Sequence, residues 1–224
     1  MGRPLRVDVG GYVYHALNRA SARATMFQSP IDYRQFEQVL EEARVRSGMR
    51  LLAYCLMPNH WHLVLWPEAD GTLRRFMGWV ALTHTQRWHA RRASAGSGHL
   101  YQGRYKAFLV EADDHLLSVC RYVERNPLRA GLVGRAEAWR WGSLWRRERG
   151  RGLDLLSAWP IARPDNWRRF VNRAETPAEL EALRAAAQRG RPFGAGRWFD
   201  DVMRRFDLGS TLRPRGRPKR RTDP

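Results

Sequence analysis

Cysteine and lysine are both scarce in this chain of 224 residues. The only cysteines, Cys55 and Cys120, lie far apart, so the sequence contains neither a Cys-x-x-Cys redox motif nor a cysteine pair with the spacing of a zinc site. We expect both to be small core residues in a reducing compartment. Lysine occurs only at Lys106 and Lys219, and arginine therefore supplies nearly all of the positive charge.

Long apolar stretches are missing as well. No run of 18 apolar residues is present, which excludes a typical transmembrane helix. Residues 1–11 contain no apolar segment of the kind found in signal peptides. We therefore expect a soluble, cytoplasmic protein.

Positive charge is what the chain has in excess. Forty Lys and Arg side chains stand against 22 Asp and Glu, which gives a formal net charge of +18. Hydrophobic residues make up 43% of the sequence, enough to build a core, so this is not the composition of a disordered chain. A basic, folded chain attracts polyanions, and nucleic acid is the default partner. We expect association with the nucleoid.

The pattern of apolar residues predicts the order βαββαβ followed by a third helix. The expected strands are residues 12–17, 50–57, 60–66 and 105–111. Helices are expected from Ser29-Pro30 onward, over residues 73–92, and from Asp113 or Asp114 to Asn126-Pro127. This order is that of a ferredoxin-like α+β fold, with an antiparallel four-stranded sheet and helices on one face. The strand at 60–66 is apolar on both faces and is therefore expected to be central.

The character of the sequence changes after about residue 151. A capping box at Thr176 and Glu179 predicts a helix that Gly190 ends, and a short helix is expected over residues 197–206. The last residues are too polar and too charged to fold alone. We divide the chain into a domain of residues 1–150, a helical extension of residues 151–208, and a basic, disordered tail of residues 209–224.

The strongest local signal is the sequence His60-Trp61-His62. Alternate side chains of a strand share a face, so both imidazoles are expected to point the same way and Trp61 to pack on the other side. Two neutral imidazoles on one face form half of a divalent-metal site. Taken alone the pattern is weak, because two such histidines are often only polar residues on a partly exposed strand.

The second signal is on the third helix, where Tyr122 and Asn126 are one turn apart and share a face. A tyrosine phenol can attack phosphorus, and an asparagine amide oxygen can complete the coordination of a metal. Leu116, Val119 and Val123 give the same helix an apolar stripe, so a tyrosine that merely flanks the core is the alternative.

These signals together resemble the IS200-like single-tyrosine (Y1) transposases of the HUH superfamily. The likeness is closest to the branch associated with repeated extragenic palindromes (REP), the REP-associated tyrosine transposases. The stretches that carry it are residues 54–66 (YCLMPNHWHLVLW), 101–106 (YQGRYK), 121–133 (RYVERNPLRAGLV) and 139–146 (WRWGSLWR). The resemblance extends over roughly residues 6–150.

The resemblance implies an enzyme that cuts and joins single-stranded or hairpin DNA at REP-like palindromes. It implies that His60, His62 and Asn126 bind Mg²⁺ or Mn²⁺ and that Tyr122 is the nucleophile, which forms a 5′-phosphotyrosine link. Insertion-sequence members commonly carry glutamine where this chain has Asn126. Asparagine is shorter, so direct metal ligation by Asn126 stays open, as does the choice between monomer and homodimer.

Several further side chains are candidates for DNA contacts. They are Arg104, Lys106, Arg140, Arg146, Arg215 and Arg217. The tryptophans at 139, 141 and 145 alternate with arginines as in a base-stacking surface, although core packing is expected for at least one of them. The segment Arg-Gly-Arg-Pro at 215–218 resembles an AT-hook, and an untargeted polybasic tail is the equal alternative. His15 and His84 are expected to be structural, and His115 to have a polar role at a helix start.

Two other functions are consistent with parts of this pattern. A catalytically silent, sequence-specific DNA-binding regulator would have the same fold, although the motif residues are intact. An RNA-binding protein would also use a ferredoxin-like sheet, but the fourth strand lacks the aromatic pattern of RNA-recognition motifs. Metal-dependent cleavage of single-stranded DNA separates the enzyme from both alternatives.

Removal of residues 209–224 tests whether the basic tail contacts DNA. Because the deleted segment can neutralise phosphates, binding to a DNA hairpin should weaken. The slope of log K against log salt should flatten by about 0.7 for each single-strand phosphate contact that is lost. An affinity and a slope equal to those of the full chain would show that the tail makes no such contact.

Overall fold

The structure, a computed structural model, describes residues 6–212. Its strands are β1 (Val13–Arg19), β2 (Arg50–Met57), β3 (His60–Trp66) and β4 (Lys106–Val110). Its first four helices are α1 (Pro30–Ser47), α2 (Thr72–Arg92), α3 (Asp114–Glu124) and α4 (Asn126–Arg129). Four more follow, α5 (Ser143–Arg149), α6 (Trp167–Asn172), α7 (Pro177–Arg189) and α8 (Gly196–Arg205).

The four strands form one antiparallel sheet in the order β2-β3-β1-β4. The predicted α+β fold with ferredoxin-like βαββαβ order is confirmed, as is the central position of β3. The bounds of β2 and β3 are those expected from the sequence. The bounds of β1 and β4 differ from the expected ones by one or two residues. Strand β1 ends at Arg19 and not at residue 17, and β4 begins at Lys106 and not at residue 105.

Both faces of the sheet are covered by helices, whereas the sequence predicts helices on one face only. Apolar residues of α1 and α2, such as Phe36 and Phe76, pack on one face. Leu116 and Val119 of α3 pack on the other. The expectation is therefore correct for α1 and α2 and wrong for α3. The physical reason is that the central strands are apolar on both sides, so each face needs a covering layer.

The junction after α3 contains a short break and a new helical turn. Helix α3 ends at Glu124, close to the predicted end at Asn126-Pro127. The chain then turns helical again as α4, with Pro127 in its first turn. Proline is tolerated there because the first N–H groups of a helix have no intrahelical acceptor. The helix-breaking residue thus starts a second helix instead of a loop.

Helices α6 and α7, beyond residue 150, pack on the face that α3 covers. Trp167 and Val171 of α6 and Leu183 of α7 share a buried cluster with α3. The predicted capping box and the terminal Gly190 of α7 are confirmed, and α5 and α6 were not expected from the sequence. The division into a domain, a helical extension and a tail stays a prediction.

Both cysteines belong to the core. Cys55 and Cys120 are both buried and unpaired, as predicted for small core residues. No helix in this part of the chain combines the length and the apolar character needed to cross a membrane.

The start of α1 is organised by one buried carboxylate. Asp32 accepts hydrogen bonds from the backbone N–H groups of Gln28 (3.0 Å) and Ser29 (2.9 Å), and it pairs with Arg91 and Arg92 of α2 at 3.2 and 3.1 Å. Burial by itself raises the pKa of the Asp32 carboxyl, but these hydrogen bonds and the charge of Arg92 hold it below its usual value. Asp32 thus joins α1 to α2.

The variant Asp32→Asn is expected to lower the free energy of unfolding at pH 7 by roughly 2–3 kcal/mol, because it removes a charged acceptor from a largely buried network. The folded-state pKa is depressed, so this stabilisation is present above the ordinary carboxyl pKa of about 4 and is lost as the pH falls below it. Urea denaturation at pH 7 and pH 3 measures the difference. Asp200→Asn, at an exposed position of α8, is the control. A deficit of equal size at both pH values would contradict this account.

Candidate active site

Strand β3 presents two histidines on the face of the sheet that α3 covers. The imidazole centroids of His60 and His62 are 5.1 Å apart. Between them, Trp61 points to the opposite face, where its indole is fully buried and donates Nε1–H to the hydroxyl of Tyr101 at 3.1 Å. The strand alternation therefore places the imidazoles side by side and Trp61 in the core, as predicted.

One ring nitrogen of each histidine is already engaged. Nδ1 of His60 lies 2.6 Å from Oδ1 of Asn59, and Nδ1 of His62 lies 2.9 Å from Nε2 of His15. Hydrogen bonds of this kind orient the histidines of metal sites and leave the other nitrogen for the ion. His15 is fully buried on β1. The sequence predicts only a structural role for it, and its contact with His62 depends on strand pairing that no local pattern reveals.

All three imidazoles are held in the neutral form near pH 7. Burial lowers the pKa of His60 to about 4, and the charges of Arg19 and Arg129 act in the same direction. Burial also lowers the pKa of His15 to about 3. The pKa of His62 is well below its usual value, first because of burial and then because of His60 and His15 beside it. A neutral imidazole is the form that ligates a metal, so no proton has to be removed first.

Tyr122 and Asn126 face the histidines from α3 and α4. The Tyr122 ring stands edge-on to His62, with centroids 5.8 Å apart and an interplanar angle of 89°. Tyr122, Asn126, His60 and His62 line one cleft of about 1220 Å³. Tyr122 and Asn126 therefore line the same cleft, as their one-turn spacing predicts, although they belong to two separate helices.

The cleft is bordered by cationic side chains. They are Arg6, Arg19, Arg104, Lys106, Arg184 and Arg189. Arg104 and Lys106 belong to the DNA-contact candidates taken from the sequence, and the structure places both here. Arg184 and Arg189 lie on α7, so the region beyond residue 150 contributes to the wall of the cleft. Such a border favours an anionic ligand.

Arg146 lies away from the cleft. Its guanidinium pairs with Glu37 at 2.8 Å and donates a hydrogen bond to the hydroxyl of Tyr54, contacts that tie α5 to α1 and β2. Its predicted role in DNA contact stays a prediction. Arg215 and Arg217 of the AT-hook-like segment lie outside the described residues.

The tryptophan-rich segment near residue 140 is largely packed. Trp141 stacks on Tyr33 with centroids 4.6 Å apart, and Trp139 donates Nε1–H to the carbonyl of Leu56 at 2.9 Å. These contacts agree with the expectation that at least one of the tryptophans belongs to the core. Arg140 is exposed above Trp141, 4.8 Å from the ring centre, and remains a candidate for contact with DNA.

The remaining histidines with a predicted role have local partners. The ring of His115 lies 2.8 Å from Asp113, the N-cap of α3, and 3.7 Å from Glu111. Donor atoms of these three residues lie within 4.8 Å of one another, but none of the three lines the cleft. His84 is buried and hydrogen-bonded to the hydroxyl of Tyr101 at 2.6 Å, in line with a structural role.

The donors in the cleft fit a divalent cation. Two neutral imidazoles offer nitrogen lone pairs, and the amide of Asn126 offers an oxygen. Asn126 is buried, and its Nδ2 has no hydrogen-bond partner within residues 6–212, so the amide is not fully used by the protein itself. His60, His62 and Asn126 are therefore the residues here that could hold such an ion.

Two histidines alternate on a central strand and face Tyr122 across a cationic cleft that Tyr14 and Tyr105 also line, an arrangement that resembles the HUH class. Comparison with protein families agrees with this description. The family described as "Transposase IS200 like" matches residues 8–126, more than half of the chain. The chain belongs to the IS200-like transposase family and is an enzyme that acts on DNA.

Solved structures add a similarity of fold. A REP-associated tyrosine transposase bound to a REP hairpin is 14% identical, with a TM-score of 0.52, and the match covers 79% of this chain and 99% of that one. A crystal structure assigned to a transposase of Deinococcus radiodurans R1 is 17% identical, with a TM-score of 0.38, and the match covers 55% of this chain and 95% of that one. No curated protein matches this sequence.

Proposed function

We propose that this chain cuts and rejoins single-stranded or hairpin DNA with Tyr122 as the nucleophile. The observation that carries the proposal is the position of Tyr122, whose ring lies against His62 inside a cleft bordered by arginines. No hydrogen bond from the described residues engages its hydroxyl. A phenol that is held by its ring and leaves its oxygen available is suited to nucleophilic attack.

The proposed reaction is an in-line displacement at phosphorus. The bond from the Tyr122 oxygen to phosphorus forms while the bond from phosphorus to the 3′ oxygen breaks. The phenolic proton is lost, and the departing oxygen takes up a proton to become a free 3′-OH. The 5′ end is then joined to Tyr122 by a phosphotyrosine bond of similar energy to the original one. Attack by a 3′-OH on this bond reverses the step and joins DNA.

A divalent ion, Mg²⁺ or Mn²⁺, is part of the proposal. When bound, it withdraws charge from a phosphate and aligns it for attack. His60, His62 and Asn126 are the residues proposed to hold it, and His15 and Asn59 hold the imidazole rings in place. The arginines along the cleft add attraction for the DNA backbone.

Hairpin DNA formed by REP-like palindromes is the proposed substrate. A structure with the same fold was solved with a REP hairpin bound, and it matches 79% of this chain. The net charge of +18 and the cationic border of the cleft support a DNA ligand. The cleft has a volume of about 1220 Å³, and its lining includes residues of β3, α3 and α4, so DNA bound there would lie beside Tyr122 and the two histidines.

The variant Tyr122→Phe separates chemistry from binding. It removes one oxygen and keeps the ring, so the affinity for a hairpin should stay within about threefold because the phosphate contacts come from arginines. Wild-type protein with Mg²⁺ or Mn²⁺ should form a covalent DNA adduct that resists denaturant and maps to Tyr122, and the variant should form none. Denaturing gels and mass spectrometry measure this.

Tyr105→Phe is the matched control, since it removes a hydroxyl from the same cleft and should still form the adduct. An adduct with Tyr122→Phe would assign the nucleophile to another residue. Tight hairpin binding by the wild type without any adduct, whichever divalent ion is supplied, would favour the catalytically silent regulator.

The metal part of the proposal is tested with His62→Ala. Losing an imidazole donor should weaken Mn²⁺ binding, measured by calorimetry, by more than about tenfold, since even the loss of an outer-shell partner costs that much. Adduct formation should stop in EDTA and return with Mg²⁺ or Mn²⁺. His99→Ala, at an exposed loop position, should match the wild type in both assays. Undiminished adduct formation in EDTA would remove the metal from the mechanism.

A further inference from the structure

The orientation of Tyr122 depends on contacts with its ring. Its hydroxyl has no hydrogen-bond partner among residues 6–212, and its ring contacts three side chains. The rings of His15 and His62 stand edge-to-face with the Tyr122 ring, and their centroids lie 6.2 and 5.8 Å from its centroid. The third contact is the guanidinium of Arg129, 4.2 Å from the ring centre. Of the three, only Arg129 is a cation that lies over the face of the ring.

Arg129 is itself held by a buried carboxylate. Its guanidinium lies 3.0 Å from one oxygen of Glu175, and Arg125 lies 3.0 Å from the other. The Glu175 side chain is fully buried, whereas the side chains of Arg125 and Arg129 are 14% and 19% exposed. Because each guanidinium binds a different oxygen of the carboxylate, the charge-assisted hydrogen bond between Glu175 and Arg129 does not require Arg125. The geometry of Arg129 over the Tyr122 ring is therefore set by Glu175.

The parts of this arrangement come from distant positions in the chain. Arg129 is seven residues after Tyr122, on the same side of the α3–α4 segment. Glu175 lies between α6 and α7. Both Arg129 and Glu175 are outside residues 8–126, the segment that matches the family. The family match alone therefore does not assign a role to either residue.

We propose that Arg129 is a positioning residue for Tyr122 and that Glu175 holds Arg129 in place for this task. The arrangement restrains the phenol ring in its place beside His62. This inference rests on the proposed function, in which Tyr122 is the nucleophile. It concerns how the ring is oriented, and Arg129 acts through Tyr122.

The test compares Arg129→Met, Arg129→Lys and Glu175→Gln, with Arg125→Met as the matched control. Arg125→Met removes the same charge from the same carboxylate but leaves the ring contact intact. Single-turnover adduct formation is measured at saturating hairpin, beside hairpin affinity and thermal unfolding. Arg129→Met should slow the adduct by up to about 10²-fold, the scale of a misplacement of about 1 Å. Arg129→Lys should recover part of this loss, and Arg125→Met should stay near the wild-type rate.

The double variant Arg129→Met/Glu175→Gln completes a double-mutant cycle with the two single variants. If Glu175 acts on the rate through Arg129, the double variant should be no slower than Arg129→Met alone. Additive losses would show that Glu175 acts by another route and would overturn its assigned role. Equal rates for Arg129→Met and Arg125→Met would overturn the role of Arg129.

A second readout needs neither DNA nor metal. The chain has seven tyrosines, so ring resonances of ¹³C-labelled tyrosine can be assigned, with Tyr122→Phe identifying the signal of Tyr122. That signal should move in Arg129→Met and Glu175→Gln and stay in place in Arg125→Met. An unmoved signal overturns the inference even if the wild type forms the adduct. If the signal moves in these two variants but the wild type forms no adduct, the proposed function is overturned instead.

Discussion

The antiparallel pairing of β1 with β3 in the middle of the sheet is the constraint on which the active face depends. The register sets Leu17 opposite His62 and His15 opposite Val64, so the two histidines are diagonal neighbours on one face. A slip of one residue would turn His62 toward α1 and α2 and bring Trp61 into the cleft. The buried indole of Trp61, packed on the opposite face, opposes such a slip because it would lose its burial and its hydrogen bond to Tyr101.

The position of α3 depends in turn on a carboxylate in the interior. Glu124 accepts a hydrogen bond from the hydroxyl of Ser143 at the start of α5 and another from the indole of Trp167 at the start of α6, at 2.5 and 2.7 Å. Burial raises the pKa of Glu124, and these two donors oppose that effect. Glu124 is two residues after Tyr122, so the helices that follow the family segment also fix the helix that carries the candidate nucleophile.

The sequence predicts the fold and the centre of the site because both rest on short-range patterns. Strand alternation pairs the two histidines of β3, and the one-turn spacing pairs Tyr122 with Asn126. The sequence does not predict that His15 lies beside His62, because that contact depends on the register between β1 and β3. Arg129 is missed for a different reason: Pro127 predicts the end of a helix, and the helical turn that resumes there brings Arg129 over Tyr122. Glu175 is joined to Arg129 only by tertiary structure.

The contact between His15 and His62 couples the tautomers of two rings. One shared hydrogen bond requires one ring to donate and the other to accept. When His62 offers a lone pair at Nε2, its proton is on Nδ1 and points to Nε2 of His15, which must then carry its own proton on Nδ1. That atom is buried and has no hydrogen-bond partner within residues 6–212. The opposite pair of tautomers leaves the same Nδ1 as an unpaired acceptor, so this atom is unsatisfied in either state. An ion bound at Nε2 of His62 therefore selects one of the two paired states, and the protons of both imidazoles change place together.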